Sequence, residues 1–250
     1  MNVNVQDNMD RTPLQLAVEH YVTDVIDVLL DHGADPNSAN RWGLTSLHSI
    51  CFKYCSDNWT KIFFKLNDNM LQVDVQDKKG YTPLHYALSH GNKNMTELLL
   101  KRGANPNLTN NDASTPLHVA FDAEQDCRDD SMSLFFEITD NLNLAVQVNA
   151  LDSLGLTPLQ YAVASLSPKI VDILLDHGAD LAGFVFPDEA SFTKYIDWYK
   201  REQFQHKLEL ASGLLVVVEH LEKKGWELNQ SNVLIIMGLF TKLVFEKSTE

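Results

Sequence analysis

GYTPLHYA, residues 80–87, contains the tripeptide on which the fold of this chain depends. Thr-Pro-Leu begins at four threonines and Thr-Ser-Leu at a fifth: Thr12, Thr82, Thr115 and Thr157, with Thr45 as the variant. Successive threonines are 33, 37, 33 and 42 residues apart, so two intervals match a 33-residue period and two carry insertions. The chain is therefore an array of five repeated units.

A second marker keeps a constant distance from the first. Gly-Ala followed by Asp or Asn begins at Gly33, Gly103 and Gly178, each 21 residues after the threonine of its own unit. The second and fourth units lack this marker. In the second unit the apolar stretch WTKIFFKL, residues 59–66, takes the place of the corresponding segment.

Each unit predicts two short helices and a turn. Threonine is a favoured N-cap residue, and the proline that follows it fits the first helical position. In the first unit Leu14, Ala17 and Val18 have helical spacing, and residues 22–30 repeat that pattern in a second helix that a glycine can end. The next residues, such as 73–80, combine an extended stretch with Asp and Gly, which favours a hairpin.

Helices of fewer than about 12 residues are marginal in water when isolated, so these must be stabilised by stacking on neighbours. The motif at residues 80–87, with Gly-Ala-Asp-x-Asn at a fixed offset, resembles the ankyrin-repeat signature. The resemblance implies an all-α fold, an ankyrin-repeat solenoid of helix pairs with β-hairpin loops. It covers residues 1–182, in units of about 3–35, 36–72, 73–105, 106–147 and 148–182.

Several positions depart from the signature. Asp10 and Ala113 stand where the turn glycine belongs, Gln15 replaces a histidine, and Ser46 replaces a proline. We expect the turns at these departures to be looser. The fourth unit also inserts an acidic stretch at residues 122–130, for which we expect a longer loop.

Residues 183–250 form a different, helical segment in which the repeat markers are absent. Three helices are predicted: one that carries the aromatic stripe of residues 192–199, one over 208–223 and one over 233–245. The last can be capped by Asn229 or Ser231. A helical segment with one apolar face is suited to cap the fifth unit, and an independent module is the alternative.

Composition and charge exclude some functions. With 44% hydrophobic and 22% charged residues the chain should fold, and its formal charge of −14 argues against binding to nucleic acid. Residues 1–187 hold 24 acidic and 12 basic residues, a net charge of −12, so the array carries the acidity. Arg11, Arg41, Lys78 and Lys79 nevertheless make the early hairpins locally positive.

Three cysteines are too few for a disulfide framework, which favours a reducing compartment. The start of the sequence does not resemble a secretory signal. The longest apolar run, residues 233–240, is far shorter than the roughly 20 residues of a membrane span. We therefore expect a cytoplasmic protein, with the nucleus possible, and no membrane partner.

The histidines invite a catalytic interpretation, but His48, His85 and His118 share the fourth position of the repeated tetrapeptide. The resemblance implies that they hydrogen-bond the backbone of adjacent hairpins. His48, Cys51 and Cys55 have a spacing that could hold zinc, yet no fourth ligand is evident. We expect no enzyme, no catalytic residue, no metal or other cofactor, and no small-molecule substrate.

Protein binding is the predicted function, as a scaffold or adaptor that uses the concave face of hairpins and first helices. The candidate partner-binding residues are positions that the repeat leaves free: Met9, Arg11, Arg41, Trp42, Leu44, Lys78, Lys79, Tyr81, Asn111, Asp112 and Leu154. Trp, Tyr and Arg dominate interface hot spots, which favours Arg41, Trp42 and Tyr81. Trp42 could instead pack on the adjacent hairpin.

Two alternatives come from resemblance alone. Short ankyrin arrays similar to the inhibitors of NF-kappaB mask transcription factors, and arthropod latrotoxins are secreted, membrane-acting proteins with long ankyrin arrays. The partner, the oligomeric state and whether the chain is part of a longer protein are left open by the sequence.

Overall fold

A computed structural model describes residues 2–52, 71–123, 125–192 and 204–245. The chain divides into two compact units, Met1–Val146 and Gln147–Glu250. The first compact unit holds the first four repeats, and the second holds the fifth repeat with the C-terminal segment. Below, 'first unit' and 'second unit' mean these compact units, and the repeated units are called repeats. All regular secondary structure in the described residues is helical, as expected for an all-α repeat protein. The division at residue 182, drawn from the repeat markers, stays a prediction.

Eleven α-helices lie in the described residues. They are α1 (Pro13–Glu19), α2 (Thr23–Asp31), α3 (Ser46–Cys51), α4 (Pro83–Ser89), α5 (Lys93–Lys101), α6 (Pro116–Val119), α7 (Gln125–Asn141), α8 (Pro158–Ala164), α9 (Pro168–Asp176), α10 (Phe204–Lys223) and α11 (Gln230–Phe245). The WTKIFFKL segment and the aromatic stripe beyond Phe192 lie outside the described residues.

The repeated threonine caps the first helix of every repeat. In α1, α3, α4, α6 and α8 its backbone N–H donates to the side chain three residues on, which is glutamine or histidine. In α1, α4 and α8 the threonine hydroxyl also accepts the backbone N–H of that residue. The helix start is therefore satisfied in both directions, which is the reason this pair recurs at a fixed spacing.

The second helices end at the repeated glycine. Gly33, Gly103 and Gly178 have φ angles of 84°, 84° and 88°, in the left-handed region that glycine enters without strain. In α5 the apolar positions Met95 and Leu98 are buried. These helices therefore end where the sequence predicts.

From Gln125 onward the acidic insertion of the fourth repeat is helical, which corrects the expected loop. A short 3-10 turn, Ala120–Asp122, follows α6, and α7 then runs for 17 residues. Met132, Phe135 and Phe136 are buried at helical spacing on α7, which contacts α5. Because burial of this apolar face stabilises the helix, the helix extends back through the acidic residues.

The repeat turns close without any β-strand in the described residues, so the hairpin loops are tight turns. Gly80 donates its backbone N–H to the carbonyl of Asp77 at 2.9 Å. Asp10 and Ala113 make the equivalent bonds at 2.9 and 3.0 Å, with φ angles of 58° and 56°. The expectation of looser turns at these two positions is therefore wrong. The non-glycine residues instead adopt the left-handed conformation, at a cost of roughly 1–2 kcal/mol.

The C-terminal helices begin earlier than the sequence predicts, at residues 204 and 230 rather than 208 and 233. Asn229 accepts the backbone N–H of Asn232 at 2.9 Å, so it caps α11 as proposed. Leu214, Val217 and Leu221 form the buried face of α10.

Helix α10 contacts α9 of the fifth repeat within the second unit. His220 bonds Asp172 at 2.8 Å, and Lys224 bonds Asp176 at 2.7 Å. Gly213 lies so close to the repeat that a Cβ there would be 3.1 Å from the carbonyl oxygen of Leu166. These contacts are those that a C-terminal cap would make.

Candidate partner-binding surface

Each repeat turn is built around one Asp or Asn side chain. The five residues are Asp7, Asn40, Asp77, Asn110 and Asp152, each five positions before the threonine of its repeat. Their Oδ1 atoms accept the backbone N–H groups of the residues two and four positions on, at 2.8–3.0 Å. Their constant offset from the threonine is a sequence signal that the Thr-Pro-Leu and Gly-Ala markers do not include.

Neighbouring turns in the first unit bond to one another through backbone atoms at their tips. The N–H of Arg41 donates to the carbonyl of Met9 at 3.0 Å, and that of Lys78 to Trp42 at 2.9 Å. The next bond runs from Asn111 to Lys79 at 2.9 Å. Four turn tips thus form a fixed row.

A layer of histidine and glutamine side chains supports this row. His85 Nδ1 accepts the N–H of Thr82 at 3.1 Å, so the proton is on Nε2, which donates to the carbonyl of Ser114 at 3.0 Å. His48 bonds Tyr81 in the same way at 3.2 Å. The structure confirms the role that the resemblance implied for these two histidines.

Glutamine makes the equivalent hydrogen bonds in the first and fifth repeats, which lack the histidine. Gln15 accepts the N–H of Thr12 at 2.9 Å and donates to the carbonyl of Leu44 at 2.7 Å. Gln160 accepts from Thr157 at 2.9 Å. Glutamine can replace histidine here because each side chain has one atom that accepts a hydrogen bond and another that donates.

Burial makes the supporting histidines poor bases. It lowers the pKa of His85 from 6.5 to about 4, and it also lowers the pKa of His48. Both rings are neutral at neutral pH and are bonded at both nitrogens. His48 therefore has no ring nitrogen left for the zinc site considered above.

The other groups considered for chemistry lie apart or outside the described residues. Cys51 is fully buried in α3, and Cys55 falls outside the described residues. Within the part of the chain that the structure describes, no three metal-binding side chains come together. None of the helices described there is long and apolar enough to cross a bilayer.

Most of the candidate partner-binding residues are exposed, and three are half-buried. The exposed ones are Met9, Arg41, Trp42, Lys78, Lys79, Asn111, Asp112 and Leu154, and the half-buried ones are Arg11, Leu44 and Tyr81. Trp42 is 47% and Leu154 76% exposed, which is high for large apolar side chains. Leu154 lies on the turn of the fifth repeat, in the second unit, and the others lie in the first unit.

Arg11 is committed inside its own repeat. Its guanidinium bonds Asp7 at 2.8 Å and Glu19 at 2.9 Å. The hydrogen bonds and charge of Arg11 lower the pKa of Asp7. This arginine therefore ties the first turn to α1 and adds little free positive charge.

Arg41 and Trp42 form a local pair at the second turn. The guanidinium carbon of Arg41 lies 5.6 Å from the centre of the Trp42 ring, and the guanidinium also donates to the carbonyl of Asn8. Trp42 thus makes a local contact and still leaves nearly half of its surface exposed. Both interpretations of Trp42 describe part of its environment.

Tyr81 and Asn111 are more structural than the sequence suggests. The Tyr81 ring lies 5.5 Å from that of His85 and 5.3 Å from that of Tyr86. The Asn111 side chain donates to the carbonyl of Lys78 at 3.0 Å, so it adds a second bond between adjacent tips. Neither residue is free to rearrange around a partner.

Three segments of the chain match family models for these repeats. Residues 9–41 and 154–182 match a model described as ankyrin repeat, and residues 66–120 match one described as ankyrin repeats in many copies. The matched segments contain the Thr-Pro-Leu motifs of the first, third, fourth and fifth repeats.

Curated proteins with similar sequences are longer than this chain. It is 27% identical to transient receptor potential cation channel subfamily A member 1 of Homo sapiens over 176 residues, 70% of this chain and 15% of the channel. It is 31% identical to the B-cell lymphoma 3 protein homolog of Mus musculus over 102 residues, 41% of this chain and 23% of that protein. An ankyrin repeat protein of fowlpox virus is 30% identical over 174 residues, 68% of this chain and 48% of that protein. This chain thus spans less than half of each of these relatives.

Proposed function

The chain is an ankyrin-repeat protein, and we propose that it binds a partner protein, without catalysis, through the tips of its repeat turns. Ankyrin repeats in general mediate protein–protein interaction, which is the broader basis of this proposal. The more specific assignment to the turn tips comes from the side chains that the repeat leaves exposed there.

One observation carries the proposal: the hydrogen bonds of the turns are satisfied by the backbone and by buried or half-buried Asp, Asn, His and Gln side chains. The exposed side chains at the tips, such as Met9, Trp42 and Lys79, contribute little to that framework. A large exposed Trp on a turn whose backbone is fixed on both sides is a favourable hot-spot residue.

The mechanism is recognition by a preformed surface. Backbone bonds of 2.9–3.0 Å join the four tips of the first unit, so binding need not order these turns. Loss of conformational freedom on binding falls mainly on the exposed side chains. We expect small backbone change between the free and the bound chain.

The test is a substitution of Trp42 with a matched control. Trp42→Ala removes the most exposed aromatic side chain of the tips, whereas Leu215→Ala removes a comparably exposed apolar side chain on α10. Tyr81 is left intact because its ring packs on His85 and Tyr86. Proteins that co-purify with each variant are then quantified by mass spectrometry, after circular dichroism shows that both fold.

We expect Trp42→Ala to lose at least one protein that the native chain and Leu215→Ala both retain, with affinity reduced about tenfold or more. If the three chains retain the same proteins in the same amounts, the turn tips are not the binding surface. Masking of a transcription factor and action on a membrane stay alternatives that no contact described above favours. The cytoplasmic or nuclear location likewise stays a prediction.

A further inference from the structure

Two sets of basic side chains among the described residues differ in their partners. Arg11, Lys93, Lys101, Lys223, Lys224 and Lys242 each form an ion pair with a carboxylate. Arg41, Lys78 and Lys79 are exposed, and no carboxylate lies within ion-pair distance of them in the described part of the chain. In an acidic chain of charge −14 this exception is notable, because carboxylates are abundant elsewhere.

The three unpaired cations lie together on the second and third turns of the first unit. The backbone N–H of Lys78 donates to the carbonyl of Trp42 at 2.9 Å, which places the two turns side by side. We name the exposed residues of these turns, Arg41, Trp42, Lys78 and Lys79, the basic tip pair. Three positively charged side chains and one exposed indole ring thus lie on two adjacent turns.

Asp77, the carboxylate next to Lys78 in the sequence, is not exposed at the surface. Asp77 is buried and accepts the backbone N–H groups of Lys79 and Tyr81 at 2.8 and 2.9 Å. Its other oxygen accepts the hydroxyl of Tyr86 at 2.7 Å. The equivalent residue in the second turn is neutral, since it is Asn40. The surface of the basic tip pair is therefore positive.

Acidic side chains flank the basic tip pair on both sides. Asp10 is exposed on the first turn and Asp112 on the fourth. Along the row of tips, the first and fourth turns therefore carry an exposed acidic side chain, and the second and third carry exposed basic ones. A ligand with a short run of negative charge matches the centre of this row, whereas a long uniform polyanion meets repulsion at both ends.

We infer that the basic tip pair binds a short acidic segment of a partner protein, with an apolar side chain of that segment packed on Trp42. The inference rests on the proposed function and adds the chemistry of the partner. Charge complementarity and the indole ring select this occupant. The net charge of the chain and the flanking Asp10 and Asp112 disfavour a nucleic acid, whose phosphates continue in both directions.

The experiment measures binding of a short fluorescein-labelled peptide, in which glutamate and serine alternate around one central phenylalanine, by fluorescence anisotropy. The test variant is Lys78→Gln with Lys79→Gln. The control is Lys101→Gln with Lys223→Gln, which changes the net charge equally but at exposed positions on helices α5 and α10. Circular dichroism checks that both variants fold.

We expect the test variant to bind the peptide about tenfold more weakly than the native chain, and the control to bind like the native chain. Binding should weaken as salt rises to physiological strength, where the Debye length falls to about 8 Å. Replacing the phenylalanine of the peptide by serine should weaken its binding to the native chain. The same replacement should not change the affinity of the peptide for the Trp42→Ala variant.

Equal losses in the test and control variants would overturn the inference, since general charge would then be responsible. So would a native chain that binds the peptide no better than a version with glutamine in place of glutamate. A single-stranded DNA oligonucleotide that binds more tightly than the peptide would also overturn it. In each case the proposed function survives if Trp42→Ala still loses a co-purifying protein, so the two failures are distinguishable.

Discussion

The acid sensitivity of the first unit follows from the buried histidines beneath its turns. His85 accepts the N–H of Thr82 on Nδ1 and donates from Nε2 to Ser114, an arrangement that exists only for the neutral ring. Protonation would place a second N–H against the N–H of Thr82. Burial of the ring is the main reason that its pKa is lowered to about 4.

The magnitude follows from the difference between the folded and unfolded pKa. In the unfolded chain His85 takes up a proton near pH 6.5, and in the folded chain only near pH 4. Between these values the unfolded state binds more protons, so stability falls as the pH falls. At 1.36 kcal/mol per pKa unit the full loss is about 3 kcal/mol.

The perturbation is His85→Gln, because Gln15 and Gln160 already fill the equivalent position in other repeats. Glutamine keeps one acceptor and one donor but does not titrate. We expect the loss of unfolding free energy between neutral pH and about pH 4.5 to be smaller in the variant by about 2–3 kcal/mol. Urea denaturation followed by far-ultraviolet circular dichroism at each pH gives this difference directly.

The control is His32→Gln, which removes a histidine from an exposed position at the end of α2. It should keep the pH dependence of the native chain. If His85→Gln folds and loses stability with acid as steeply as the native chain, then burial of His85 does not suppress its protonation. The account of the histidine layer would then be wrong.

Three further substitutions and one control test the backbone and the C-terminal contact, each by urea denaturation. Gly80→Ala should lower the free energy of unfolding by about 3 kcal/mol, because the added Cβ would lie 2.7 Å from the backbone of the next turn. Gly103→Ala is the control: its φ is similar but no atom lies near the added Cβ, so the loss should be only about 1 kcal/mol. Ala113→Gly should stabilise the first unit by about 0.5–1 kcal/mol, since it removes a left-handed alanine, and a destabilised variant would contradict that strain. Gly213→Ala, whose Cβ would lie 3.1 Å from the oxygen of Leu166, should destabilise the second unit by about 1–3 kcal/mol, and native stability would show that α10 does not approach the repeat so closely.

The candidate surface shows where sequence reasoning needs the structure. The sequence identified the capping threonines and the positions of the repeat turns, because Thr, Pro and Gly act on residues close to them in the chain. It treated Arg11, Arg41 and Lys78 alike. Only the folded chain separates them, since Arg11 reaches Glu19 across eight positions while the other two meet no described carboxylate. Whether a charged side chain forms an ion pair depends on the groups that surround it in the folded chain.

Helix length in the inserted and C-terminal segments also depended on packing. The acidic composition of the insertion predicts a loop, yet Asp126, Asp129 and Asp130 lie at the start of a helix whose later turns bury Phe135 and Phe136. Local signals for a helix start were weak there, and tertiary burial decided the outcome.

The period of the repeats, the capping threonines and the family follow from the sequence, because they rest on local hydrogen bonds and on hydrophobic spacing that repeats along the chain. Which cations form no ion pair and how far α7 extends follow only from the folded chain. The same three-dimensional contacts leave Trp42 nearly half exposed. Those outcomes depend on groups that are distant in sequence, and their energies arise only once the repeats are stacked.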